Sequence, residues 1–401
     1  MRRFIILLFS LLLAACGELG QPDEQELYYN YLLLKAYFFH PERIKPLSEY
    51  EGMKDVDDMY KSLEDYFRGG RYTFYVPPQK ADDKIKEIEN TKRYYSFGFE
   101  RVLEDDTLRV TAVYPISPAA SAGLKKHDKL LFANGISLTG PEAAMYLNSD
   151  SLFANETTFK VLRGEEIFMR KAEVQKPTVY LDSLGGIPLI RVTQFTVRTN
   201  NPNGTYAEFK NVLQEIKGAE EAIIDLQGNP GGSVSHCTPM AAELVPYDSE
   251  LLFDVEHYYD AKRGNVIDTI RYFASDYVES EGIGASIKWT LLINGGSASC
   301  AERFAAIVKY NRPETIIFGE TSYGKGVGQV YTKTYLGGLA YITCMQSFYP
   351  NGKTFHEVGI KPDALSSGPV LPKRSQQELP PPNVEAMEFG MHKFRSFTIF
   401  P

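Results

Sequence analysis

The chain is poor in cysteine, in positive charge and in long apolar runs, and each shortage removes a class of protein. Four cysteines in 401 residues, with no Cys-x-x-Cys pair, specify no disulfide framework. No His-Glu-x-x-His occurs, and the six histidines are scattered at His40, His127, His236, His257, His356 and His392. That scatter has no metal-ligand spacing, so neither a metal nor a cofactor is expected. Lys and Arg number 43 against 51 Asp and Glu, a net charge of −8, with no basic run to override it. Such a balance repels phosphate backbones and argues against nucleic-acid binding. What remains is a folded composition, 43% hydrophobic and 23% charged, long enough for two or three domains with sizeable cores.

The N-terminus reads as an address. Met1-Arg2-Arg3 is a positive start, residues 4–13 form an apolar run of secretory-signal length, too short to span a bilayer, and Leu13-Ala14-Ala15-Cys16 follows. That ending resembles a bacterial lipobox, which implies a signal peptide over residues 1–15, cleavage before Cys16, and acylation of Cys16 as a membrane anchor. Residues 16–27 then carry the lipidated cysteine and a polar tether. The expected location is the cell envelope, on the periplasmic face or the cell surface, with the leaflet left open.

Residues 28–90 show helical spacing at Tyr28, Leu32, Leu33 and Tyr37 and again at Met59, Leu63 and Phe67, broken by Pro41, Pro46 and Gly69-Gly70. The reading is a small helical N-terminal module, whose apolar face serves either a homodimer or packing onto the core. Residues 91–176 change character. Tyr95-Ser96-Phe97-Gly98-Phe99-Glu100 leads into a strand-like Leu108-Arg109-Val110-Thr111-Ala112-Val113, then Ser117-Pro118-Ala119-Ala120 and a tight Asn134-Gly135 turn between strands. This succession resembles a PDZ domain, a β-rich fold in which the Phe97, Gly98 and Phe99 positions form the loop that holds a peptide's terminal carboxylate.

From residue 177 to 370, short apolar runs alternate with helical segments: Leu189-Ile190-Arg191-Val192, a helix near 206–216, Ala222-Ile223-Ile224-Asp225-Leu226, a helix near 239–244, Trp289-Thr290-Leu291-Leu292-Ile293, a helix near 301–310, and Thr315-Ile316-Ile317-Phe318. That is the pattern of an α/β domain with buried strands. Residues 371–401 form a Pro-rich tail. Two strand ends carry chemistry. Gln227-Gly228-Asn229-Pro230-Gly231-Gly232 exposes backbone N–H groups before a helix, a geometry suited to an anion. Asn294-Gly295-Gly296-Ser297-Ala298-Ser299-Cys300-Ala301-Glu302 opens another helix, where a serine hydroxyl can act as nucleophile. A third segment, Tyr323-Gly324-Lys325-Gly326-Val327-Gly328-Gln329, places one lysine among glycines.

Taken together, in this order behind a lipobox and a PDZ-like segment, these motifs resemble the carboxyl-terminal processing (tail-specific) serine protease family, whose α/β core is shared with the Clp protease and crotonase families. The resemblance covers residues 28–365 and includes Gly359-Ile360-Lys361-Pro362-Asp363. It implies Ser299 as nucleophile, Lys325 as general base, Gln329 as the residue orienting it, and an oxyanion hole from Gly231, Gly232 and the N–H of Cys300. Ser297 is the competing nucleophile. The implied substrates are envelope proteins or peptides with free C-termini. A lysine base must be neutral, so Lys325 is expected to be desolvated and not salt-bridged to Glu302 or Glu320. Two positions depart from the family: Gln227 stands where an arginine is usual, and Cys300 where alanine is. Alternatives are a Ser-His hydrolase using His236 or His257, although no Gly-x-Ser-x-Gly elbow exists, and a non-catalytic peptide-binding scaffold.

Overall fold

A computed structural model describes residues 22–365 apart from 54, 69, 90–92, 148–151, 200 and 261. The expected signal peptide, the acylated Cys16 and the tail over 371–401 lie outside these residues. The alternation of apolar runs and helices becomes a six-stranded sheet ordered Val179–Leu184, Ile187–Val192, Glu221–Asp225, Lys288–Ile293, Ile316–Gly319 and Ala364–Leu365. The first two strands form an antiparallel hairpin and every later neighbouring pair is parallel. Parallel neighbours need crossovers, and the helices Gly204–Glu215, Val234–Ala242 and Cys300–Asn311 lie in them. Ile224, Leu291, Ile293 and Ile317 point to one face, where they bury against Phe209, Met240 and Phe304. Their sequence neighbours Ile223 and Leu292 point to the other face and pack with Leu189. Both faces are covered, which is why these strands read as unbroken apolar runs.

The helix Cys300–Asn311 is buried along residues 300–308. A helix apolar on nearly every side belongs inside a core, and Ala301, Phe304, Ala305, Ile307 and Val308 supply that character. It stops where Pro313 disfavours continuation, and Lys309 Nζ donates to the carbonyls of Pro313 (3.0 Å) and Thr315 (2.7 Å).

A second, antiparallel sheet was not foreseen from the sequence. Its strands run Gly264–Phe273, Glu250–Asp260, Leu339–Phe348 and Val327–Lys333, with Phe74–Val76 also paired to Leu339–Phe348. The residues over 94–174 form a separate unit with its own core of Phe97, Leu108, Val110, Leu130 and Phe159. Six strands make its sheet, five in the order Glu166–Arg170, Glu156–Val161, Lys129–Ala133, Thr107–Val113 and Phe99–Glu104 and a sixth, Ile136–Ser137, paired with Lys129–Ala133; Tyr94–Ser96 pairs with Ala172–Val174 where the chain enters and leaves.

The N-terminal stretch is not the purely helical module expected for 28–90. The helix Pro22–Tyr37 lays Leu27 and Leu34 against Ala340 and Ile342 of the second sheet, and Phe74–Val76 joins that sheet as a strand. The apolar face is thus spent on the core. The physical reason is Glu26, 3% exposed, whose carboxylate accepts hydrogen bonds from Tyr75 Oη (2.9 Å), the Leu336 N–H (2.7 Å) and Thr334 Oγ1. Three donors converge on one buried acid, so removing it strands all three. Glu26→Ala is expected to cost about 1–3 kcal/mol of unfolding free energy in urea titration, whereas a surface change such as Glu24→Ala is expected to leave it unaltered.

Candidate active site

The parallel strand Lys288–Ile293 ends in a turn that delivers Ser299 to the N-terminus of the helix Cys300–Asn311. Ser299 has φ 54° and ψ −115°, a region that a residue with a Cβ rarely occupies. Such a conformation costs on the order of 1–3 kcal/mol and persists only where its surroundings fix it. Here Glu302 does so: its Oε2 accepts the Ser299 N–H at 2.9 Å.

The same carboxylate holds the lysine segment. Glu302 Oε2 also accepts the Lys325 N–H (2.7 Å), and Oε1 accepts the Gly324 N–H (2.6 Å) and the Ser322 hydroxyl (2.6 Å). Two oxygens therefore take four donors, which fills the capacity of a carboxylate. Glu302 is 1% exposed. Burial raises its pKa, and the Ser322 hydroxyl with the three N–H groups draws it back toward the ionised form. The contact with Lys325 runs through the main chain, while Glu320, the other carboxylate of concern, is exposed. Ser322 in turn accepts the Ile360 N–H at 2.6 Å, which gives the Gly359-Ile360 segment its place in the site.

Ser299 and Lys325 line one pocket together with Cys300, Val234, Arg303 and Val327. The Lys325 side chain is 1% exposed, and its Nζ lies 5.0 Å from the centre of the Tyr72 ring. Gln329, also 1% exposed, has its amide oriented by a chain of hydroxyls. Thr343 Oγ1 spends its hydrogen on Asp65 Oδ2 (2.8 Å), so the group facing it from Gln329, at 3.4 Å, must be the Nε2 donor. That turns Oε1 the other way, buried and without a hydrogen-bond partner among the described residues.

The glycine turn packs directly on the serine. A Cβ on Gly231, at φ 106°, would sit 2.7 Å from Ser299 Cβ and 2.9 Å from the Cys300 nitrogen; one on Gly232, at φ 137°, would meet the Phe195 carbonyl at 1.9 Å. Only glycine fits either position. The Gly231 N–H is already given to Asn229 Oδ1 (2.8 Å), so within this pair it is Gly232 that retains a donor. The Asn229 carbonyl accepts the Ala298 N–H (2.9 Å), and Asn294 Oδ1 accepts from Gly228 (2.9 Å) and Gly296 (3.0 Å). These two asparagines tie the turns together where Gln227 replaces the usual arginine.

The hydroxyl of Ser297, the competing candidate, is engaged within the chain: it donates to the Leu226 carbonyl (2.8 Å) and accepts the Asn294 N–H (3.0 Å). His236 Nδ1 accepts the Tyr206 N–H (3.1 Å), and neither His236 nor His257 lines the pocket. Cys300, for which the sequence specified no partner, is disulfide-bonded to Cys237 of the neighbouring helix Val234–Ala242, with Cα atoms 5.7 Å apart. The bridge joins the helix after the glycine turn to the helix that follows Ser299. Phe97 and Phe99 are core residues, and the Gly98 N–H donates to Ser96 Oγ (3.0 Å), so that N–H is engaged within the chain. Sequence reasoning missed Tyr72, Arg303 and His356. Arg303 directly follows the Ser299 motif but reads in sequence as one more charge on a helix, and no local signal marks Tyr72 or His356. His356 Nδ1 accepts the Gly326 N–H at 3.3 Å, beside the lysine.

Two outcomes follow. Glu302→Gln turns one acceptor oxygen into a donor facing two donors, so it is expected to cost about 3 kcal/mol or more in denaturant unfolding. His356 has its pKa lowered, chiefly by burial. Its neutral form is therefore favoured by folding, and the stability it contributes is complete above the unfolded histidine value of about 6.5 and is lost as pH falls toward the folded value. Protonation would also place a donor against the Gly326 N–H. Unfolding free energy is expected to drop between about pH 7 and pH 5, with a smaller drop in His356→Gln; identical profiles would contradict this.

With this geometry in place, comparison with known proteins is direct. Residues 186–366 match the model of peptidase family S41. The chain is 25% identical over 361 residues to "Probable CtpA-like serine protease" of Staphylococcus aureus (strain MRSA252), covering 83% of this chain and 69% of that one. A protein of the same name from Staphylococcus saprophyticus is 24% identical over 360 residues, covering 86% and 68%. Among solved structures, the photosystem II D1 C-terminal processing protease superposes with a TM-score of 0.50 at 16% identity, covering 88% of this chain and 95% of that one. The segment 186–366 thus matches peptidase family S41, within a chain similar over most of its length to CtpA-like serine proteases.

Proposed function

We propose that the chain is a serine endopeptidase in which Lys325 takes the proton of the Ser299 hydroxyl as that oxygen attacks a substrate carbonyl. The observation that carries this reading is the pairing of a serine in a strained, fixed conformation with a fully buried lysine on the wall of one pocket. A free lysine, with a pKa of about 10.4, is an ammonium at neutral pH and accepts no proton. Burial against Tyr72 and Val327 disfavours that charge. Gln329, whose buried Oε1 accepts no hydrogen bond among the described residues, is the neutral group proposed to orient the amine. The N–H groups of Gly232 and Cys300 would receive the developing oxyanion. Water then resolves the acyl-enzyme on Ser299.

The substrate reading extends this core. The unit over 94–174 is proposed to act as a PDZ-like recognition domain. Phe99–Glu104 is an edge strand of its sheet and directly follows Phe97-Gly98, an arrangement open to pairing with an extended peptide tail. With a signal peptide and acylated Cys16, the enzyme would be tethered in the cell envelope and would process or degrade envelope proteins from exposed C-termini.

Ser299→Ala and Lys325→Ala are each expected to lower hydrolysis of casein and of a tailed peptide by roughly 10³-fold or more while leaving the circular dichroism spectrum unchanged. Hydrolysis by purified Ser299→Ala at the wild-type rate would overturn the assignment.

A further inference from the structure

Arg303 is a charged residue where the pocket would be expected to be apolar. It lies one helical turn after Ser299, is 2% exposed, and lines the same pocket as Ser299 and Lys325. Val234, Val327, Met345 and Phe355 give the pocket apolar walls, with Ser347 as a further polar group on its lining. A buried guanidinium is costly unless paired, and this one is paired on two of its three nitrogens. Nη1 donates to Asp254 Oδ1 (2.7 Å), Asp254 Oδ2 (3.0 Å) and Ser347 Oγ (2.9 Å), and Nε donates to Thr238 Oγ1 (2.8 Å). The third nitrogen, Nη2, is buried with no hydrogen-bond partner among the described residues. Leaving a charged donor unmade is among the more expensive defects a fold can carry, and here it belongs to a residue on the wall of the candidate active site.

We propose that Arg303 is a specificity-determining residue, its Nη2 donating to an uncharged oxygen acceptor on the side chain of the substrate residue that contributes the scissile carbonyl: the hydroxyl of Ser or Thr, or the amide oxygen of Asn. This rests on the peptidase reading above. The apolar walls face the short carbon stem of such a side chain once the pocket, which as it stands has room for about one water, opens to admit it. Asp254 already balances the guanidinium, so a carboxylate entering the pocket would be an uncompensated negative charge. It would also stabilise Lys325 as the ammonium and disable the base. A neutral acceptor satisfies Nη2 without either penalty. A site built to hydrogen-bond a substrate group discriminates strongly against the isostere lacking it, because its own donor is then stranded.

The test uses peptides identical except at that residue, in the pairs Thr/Val and Asn/Leu and the charged comparison Asn/Asp. Affinity is measured on Ser299→Ala, and kcat/KM on the active enzyme. Wild-type kcat/KM is expected to favour Thr over Val and Asn over Leu by about 10-fold or more, and Asn over Asp, with the same order in the affinities for Ser299→Ala. Arg303→Lys keeps a cation for Asp254 but has no second nitrogen, so it is expected to bring both isosteric ratios to within about 2-fold. Arg303→Leu with Asp254→Asn removes both charges and is expected to favour Val and Leu. Isosteric ratios unchanged by either variant, or Asp accepted as well as Asn, would overturn the proposal. Absence of cleavage by wild type, with the Thr/Val affinity ratio on Ser299→Ala intact, would overturn the peptidase reading while leaving the pocket assignment standing.

Discussion

The Glu302 carboxylate is the constraint on which the candidate site depends. It sits at the third position of the helix that Ser299 opens, and it gathers the N–H groups of Ser299, Gly324 and Lys325 with the hydroxyl of Ser322. Burying a carboxylate costs several kcal/mol, and four charge-assisted hydrogen bonds are what offset that cost. The offset is geometric as well as energetic. Because both oxygens are saturated by donors from two loops, the backbone of Ser299 and the backbone of Lys325 are held at a fixed separation by one group. A tight salt bridge from this acid to the Lys325 amine would have opposed a neutral base; its engagement with main-chain donors does not.

The two sheets divide the work. The parallel sheet delivers, at the carboxyl ends of Glu221–Asp225 and Lys288–Ile293, the glycine turn and the serine turn, where helix N-termini and bare N–H groups suit a developing anion. The antiparallel sheet carries Gln329 within Val327–Lys333 and Lys325 just before it. The site forms at the seam, and Arg303 crosses it: its helix belongs to the first sheet, while its partners Asp254 and Ser347 stand on strands of the second. The disulfide from Cys237 to Cys300 and the Asn229 and Asn294 contacts brace the glycine turn against the serine turn on the first side.

Much of this was legible because it is local. Strand runs such as Trp289-Thr290-Leu291-Leu292-Ile293, the helix that follows, and the glycine turns are written in consecutive residues. The resemblance of the motifs to a known family supplied roles that spacing alone would not. What escaped was non-local. The antiparallel sheet is assembled from strands near residues 75, 255, 270, 330 and 343, and neither its pairing nor its proximity to Ser299 leaves a periodic mark. Arg303 reads in sequence as one more charge on a helix, and only Asp254, 49 residues earlier, explains its burial. Likewise Glu26 looks like a first-turn acid of a surface helix until Thr334 and Leu336 are brought against it. The resemblance already set Ser299 ahead of its competitor Ser297, and what local sequence did not show is that the Leu226 carbonyl takes the Ser297 hydroxyl's hydrogen.

The claim under all of this is that the buried Lys325 amine is uncharged when Ser299 reacts. Its most direct measurement is the pH dependence of Ser299 acylation by an excess of a serine-directed fluorophosphonate, followed by intact mass. The account predicts a single-site labelling rate that titrates with an apparent pKa well below the free-lysine value of about 10.4, and that this limb disappears in Lys325→Met. A labelling rate that rises only near the free-lysine value, or that is the same in Lys325→Met, would contradict it.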